Sequence, residues 1–162
     1  RSYNLLDTQR WSQYLKVPFR RPVPDPIVQE LSTGVVADQQ PYIYRLTRVA
    51  ELATQAGKGM EFLNHVVRML WDGSTDNWHE GDHLSRAINR AGLDGKTLLD
   101  RAETNVGRID AAISNNEAAQ EKTGHSGTPL LVFKGEPFFS QDRIKLLIWR
   151  LKESGLRARN FS

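Results

Sequence analysis

Two short stretches toward the C-terminal end hold the residues best placed to do chemistry. The first is Thr128-Pro129, directly before the apolar run Leu130-Leu131-Val132-Phe133. Proline cannot donate to a strand ladder, so Pro129 marks a strand's beginning. A cis Thr128–Pro129 bond would turn the chain sharply and leave the Thr128 backbone groups free. Free backbone groups at a sheet end can pair with an extended peptide. The second stretch is Ser140-Gln141-Asp142-Arg143, which has the pattern of a helix N-terminus with Ser140 as N-cap. Unpaired N–H groups and the positive end of the helix dipole favour a carboxylate there. The Asp142 carboxylate could hold an ammonium group. A peptide with a carboxylate and an ammonium at one end would satisfy both.

Each residue also has a plainer reading. A trans Pro129 would simply start a strand, and only about 5–6% of X–Pro bonds in folded proteins are cis. Asp142 in a first helical turn complements the dipole by roughly 0.3–1 kcal/mol without binding anything. His79 and His83 are four apart, a spacing that on one helix face suits zinc, but no third ligand is evident. With Asp76, Glu80 and Asp82 nearby, both histidines read as solvated. His65, between helical core positions, reads as a partly buried packing residue. His125 lies close in sequence to the Thr128-Pro129 stretch but reads as an exposed loop residue. Trp71, Trp78 and Trp149 read as core or interface packing.

The elements that must position these residues are mostly helical. Apolar spacing predicts helices over Tyr3–Lys16, Gln40–Ala56, Lys58–Trp71, His79–Ala91, a further one after Gly92-Leu93-Asp94, and Val106–Lys122. Their apolar stripes include Leu46, Val49 and Ala53; Leu63, Val66, Val67 and Leu70; and Leu84, Ala87 and Ile88. Pro18, Pro22, Pro24 and Pro26 exclude regular helix between the first two. After Gly124 the pattern changes. Leu130–Phe133 is apolar on both faces, the mark of a buried strand. Lys134-Gly135-Glu136 reads as a tight turn, and Pro137–Phe139 as an antiparallel second strand. A last helix carries Ile144, Leu147, Ile148 and Leu151 up to Gly155. A lone hairpin is marginal in water, so Leu130–Phe133 is expected inside a larger sheet, paired on both edges. Its partner strands are expected from a segment preceding Arg1 or, as the alternative, from another subunit.

Composition bounds the function classes. The chain has 162 residues, 39% hydrophobic and 25% charged, enough for a substantial core. Its 22 basic and 19 acidic residues give a net charge of +3, spread along the chain rather than concentrated on one helix. That suits a small anionic ligand at least as well as nucleic acid. No apolar run approaches the roughly 18 residues of a membrane span. There is no cysteine, so no disulfide points to secretion, and a cytoplasmic protein is expected. Thiol chemistry would need a borrowed thiol or a cysteine outside this sequence.

The order Gly-Thr-Pro (127–129), apolar strand, Gly-Glu-Pro-Phe-Phe (135–139) and Gln-Asp-Arg (141–143) resembles the C-terminal half of the DsbA-like thioredoxin superfamily. Within it the match is to the branch of 2-hydroxychromene-2-carboxylate isomerases and kappa-class glutathione transferases. Asp7 to Pro22, with Trp11 and Val17-Pro18, looks like the segment leading into that family's helical insertion. The resemblance implies an α/β, thioredoxin-like fold with a large all-helical insertion and with the N-terminal βαβ unit missing from this sequence. It divides the chain into a linker helix and Pro-rich connector (1–25), the inserted helical domain (26–105) and the C-terminal part of the thioredoxin-like domain (106–162).

Glutathione carries its carboxylate and ammonium on one carbon, as the second stretch requires. The resemblance implies glutathione as cofactor, with Thr128 and Pro129 at its cysteinyl backbone and Gln141 and Asp142 at its γ-glutamyl end. Many relatives carry glycine where this chain has Ser140. The family's catalytic serine, or cysteine in oxidoreductase relatives, lies in the absent unit, so no catalytic residue and no metal ligand is assigned to this chain. The implied function is a glutathione-dependent isomerase or transferase for aromatic or electrophilic small molecules, working as a homodimer without nucleic acid or membrane. A thiol-disulfide oxidoreductase with its Cys-x-x-Cys outside this sequence, and a non-catalytic binding module, are the alternatives.

Overall fold

Helix α1 covers Ser2–Leu15, in a computed structural model that describes residues 2–158. The proline-rich connector follows without helix, as its prolines require. Arg21 pairs with Asp25 across it, Nε to Oδ2 at 2.9 Å, and a single bridge joins Gln29 to Val36. The chain divides between Ala111 and Ala112 into two units.

The first unit is built on α2 (Ile43–Gln55), α3 (Gly59–Trp71), α4 (His83–Arg90) and α5 (Gly95–Thr104). Helix α2 packs on α3 and α5, and α4 packs on the same two. Leu46, Val49, Leu52 and Ala53 of α2 meet Phe62, Val66, Met69 and Leu70 of α3 in the core, with Leu84, Ala87, Ile88, Leu98 and Ala102. Each buried aliphatic or aromatic side chain is worth roughly 1.5–3 kcal/mol of transfer free energy, so this is the chain's main stabilising cluster. Trp78 is 1% exposed and its indole N–H donates to the Pro24 carbonyl at 2.8 Å, which ties the connector to the core. Gly95 is required where α5 meets α4: a Cβ there would lie 2.4 Å from the Ser85 carbonyl oxygen.

Three sequence expectations need correction in this unit. Helix α4 starts at His83, not His79, because Gly81 takes a left-handed φ of 56° and breaks the run. His79 and His83 therefore share no helix face. His79 instead packs against Tyr42 with ring centroids 4.7 Å apart. The core stripe of α3 is Phe62, Val66, Met69 and Leu70, while Leu63 and Val67 are exposed. Helix α2 starts at Ile43, after Pro41, rather than at Gln40. His65 is half-buried, as its place between core positions implies.

Helix α6 (Val106–Glu121) buries Ile109 and runs across the division. The second unit continues with β1 (Leu130–Phe133), β2 (Glu136–Phe139), a 3-10 turn (Gln141–Arg143) and α7 (Ile144–Glu153). The strands are antiparallel, Leu130 opposite Phe139 and Phe133 opposite Glu136. Glu136 thus belongs to the strand, and the connection is the two residues Lys134 and Gly135, with φ of 51° and 81°. Positive φ at both positions is the type I′ hairpin geometry. Among the described residues β1 pairs with β2 alone, and Val132 is 50% exposed. Trp149, read as core or interface packing, is also half exposed, with the Arg150 guanidinium over its ring at 4.5 Å.

Candidate functional site

The hairpin brings the two chemically suggestive stretches to one end. Pro129 stands before β1 and Ser140 after β2, and the Ser140 N–H donates to the Pro129 carbonyl at 3.0 Å. That bond closes the end of the ladder and sets the Gln141–Asp142 turn beside Thr128–Pro129. The Thr128–Pro129 bond is cis, as expected from the resemblance. So is Val23–Pro24, which nothing in the sequence singled out.

Among the described residues, the Thr128 N–H and C=O have no hydrogen-bond partner. Thr128 is exposed and lines a groove of about 420 Å³ with Gln120, Thr123, Leu130 and Val132. Gln141 and Asp142 are also exposed. They lie on a single 3-10 turn closed by the Arg143 N–H on the Ser140 carbonyl at 3.1 Å, so the expected start of a helix is one tighter turn that then leads into α7. Their own N–H groups have no partner among the described residues. Ser140 does not act as the expected N-cap. It makes no side-chain bond to a backbone N–H, and its φ of 75° directs its hydroxyl to Asp142 Oδ2 at 3.5 Å. No cation pairs with Asp142 among the described residues. The arrangement therefore offers two free N–H donors and a carboxylate with no cation partner among the described residues on one turn, next to a residue whose backbone groups are unpaired.

Two residues that the sequence left aside also belong here. His125, expected to be an exposed loop residue, is half-buried. Its ring lies on Phe139 with centroids 4.3 Å apart, and its Nδ1 accepts from the Gly127 N–H at 2.9 Å. Gln120 Nε2 donates to the Gly127 carbonyl at 3.2 Å. The signal was present in the spacing, since a side-chain acceptor two residues before a glycine can take its N–H as an Asx turn does.

The first unit holds a larger cleft of about 630 Å³ among α1, the connector and α3, with Leu5, Trp11, Phe19, Val67, Arg68 and Trp71 in its walls. Phe19 and Trp71 stack there at 5.6 Å with planes 8° apart. Among the described residues no group of three or more acidic or histidine side chains could hold a metal ion. No described helix is long and apolar enough to cross a membrane.

No known family profile matches the chain, and no curated protein matches it. Among solved structures, "Structure of SeMet 2-hydroxychromene-2-carboxylate isomerase (HCCA isomerase)" superposes with a TM-score of 0.62 at 16% identity, over 94% of this chain and 66% of that one. The chain thus spans 66% of that structure's length. In fold, this chain stands with 2-hydroxychromene-2-carboxylate isomerase: α/β, thioredoxin-like, with a helical insertion.

Proposed function

We propose that the protein is a glutathione-dependent isomerase or transferase acting on aromatic or otherwise electrophilic small molecules. The observation that carries this reading is the meeting of Thr128-Pro129 with Gln141-Asp142 at one end of the hairpin, with the Thr128 backbone groups and the Gln141 and Asp142 N–H groups unpaired among the described residues. Glutathione fits that set of groups. Its cysteinyl residue would lie extended against the Thr128 N–H and C=O, in the manner of an added strand. Its γ-glutamyl carboxylate would take the Gln141 and Asp142 N–H groups, and its ammonium the Asp142 carboxylate. When bound, glutathione supplies a thiol that can add reversibly to an electron-poor carbon. The residues of this chain bind and orient the peptide, and none is assigned as nucleophile or base. The cleft walled by Trp11, Phe19 and Trp71 in the first unit supports an aromatic substrate.

Calorimetric titration of glutathione into the protein tests the reading. Saturable binding with one site per chain is the expected result. Absence of binding at millimolar glutathione would refute it.

A further inference from the structure

We infer that His125 is a positioning residue of this site, acting with Gln120 as a clamp on Gly127 that aims the Thr128 backbone. The inference rests on the glutathione reading for the ligand, but its geometry stands apart from it. Both backbone groups of Gly127 are engaged by side chains: its N–H donates to His125 Nδ1 at 2.9 Å, and its C=O accepts from Gln120 Nε2 at 3.2 Å. The Gly127 C=O and the Thr128 N–H belong to one trans peptide plane and point in opposite directions. Anchoring the carbonyl on Gln120 therefore fixes the direction in which the Thr128 N–H is offered. Because Nδ1 accepts, the neutral ring carries its proton on Nε2.

The clamp is itself held. His125 lies on the Phe139 ring, and the His125 N–H donates to Thr123 Oγ1 at 3.3 Å. Thr123 in turn donates to the Gln120 carbonyl at 2.7 Å, so both jaws of the clamp share one turn at the end of α6. Gly127 has no room for a side chain. A Cβ would sit 2.4 Å from Phe139 Cε2 and 2.7 Å from His125 Cε1, so His125 and Phe139 close on bare backbone. Past Pro129, the Ser140 N–H holds the other side. Thr128 is thus unpaired but flanked by fixed neighbours, which is the preorganised state a peptide-binding residue needs.

The test compares wild type with His125→Ala, His125→Asn and Gln120→Ala, reading amide exchange at Gly127 by NMR and glutathione affinity by calorimetry. An Asn side-chain oxygen can accept the same N–H two residues on. His125→Ala is expected to speed Gly127 exchange about tenfold and weaken glutathione about tenfold, roughly 1.4 kcal/mol. Gln120→Ala should weaken glutathione similarly, and His125→Asn should restore most of both readouts. Unchanged exchange in His125→Ala, or His125→Asn as loose as His125→Ala, would overturn the clamp. If the exchange pattern holds while wild type binds no glutathione, the clamp stands and the glutathione reading falls.

Discussion

Ser140 sits at φ 75° and ψ 157°, a region of backbone space almost closed to residues with a Cβ. Holding a non-glycine residue in such a conformation costs on the order of 1–3 kcal/mol. Glycine takes this conformation without that cost, and the hairpin-end bond from Ser140 to Pro129 holds the backbone in it. Ser140→Gly is expected to stabilise the protein by about 1 kcal/mol after the entropy that glycine adds to the unfolded chain. A thermal melt checks this, and an unchanged or lowered midpoint would contradict it. At this scale the candidate site was largely legible. Thr128, Pro129, Gln141 and Asp142 announce themselves by type and by neighbours within a few positions. His125 and Gln120 did not, because their contribution is two hydrogen bonds to a glycine backbone, which only the folded turn brings together.

Among the elements, helix existence followed from apolar spacing, while faces and starts were less legible. In α3, Leu63 and Val67 fit a helical stripe as well as Phe62 and Met69 do, and only packing against α2 and α4 chooses between them. The start of α4 depended on a left-handed Gly81 within a charged stretch that looks helical by composition. Links between distant elements left no local trace at all. Arg48 of α2 grips Asp110 of α6 through Nε to Oδ1 at 2.7 Å and Nη2 to Oδ2 at 2.8 Å. The Arg48 hydrogen bonds hold the Asp110 carboxyl below the ordinary carboxylate range. A carboxyl lowered by folding adds stability above its unfolded value, near 3.9, and loses it as pH falls through the folded value. Asp110→Asn should therefore lower the melting temperature at neutral pH, and the gap to wild type should close as pH drops below about 4. Since Asp110 is 45% exposed, added salt should narrow the gap as well. A gap that persists unchanged at low pH would show that the pair contributes nothing through its charge.

For the molecule as a whole, the α/β thioredoxin-like assignment came from the resemblance carried by one hairpin and its flanking motifs, set among the seven helices of the described residues. What made it legible was the contrast between a strand apolar on both faces and the turn chemistry around it, together with the order of motifs after Gly124. What the sequence could not convey is how the groups of that hairpin end are left unpaired, since this depends on the 3-10 turn and the backbone of Ser140. The central claim is that this end grips the γ-glutamyl group of glutathione, with Asp142 taking the ammonium. Calorimetry with glutathione and an analogue lacking only that ammonium, on wild type and Asp142→Asn, tests it most directly. A charge-assisted hydrogen bond contributes roughly 1.5–3 kcal/mol, on the order of ten- to a hundredfold in affinity. Wild type should prefer glutathione over the analogue by that factor, and Asp142→Asn should bind both alike and weakly. Equal affinity of wild type for the two ligands would contradict the claim.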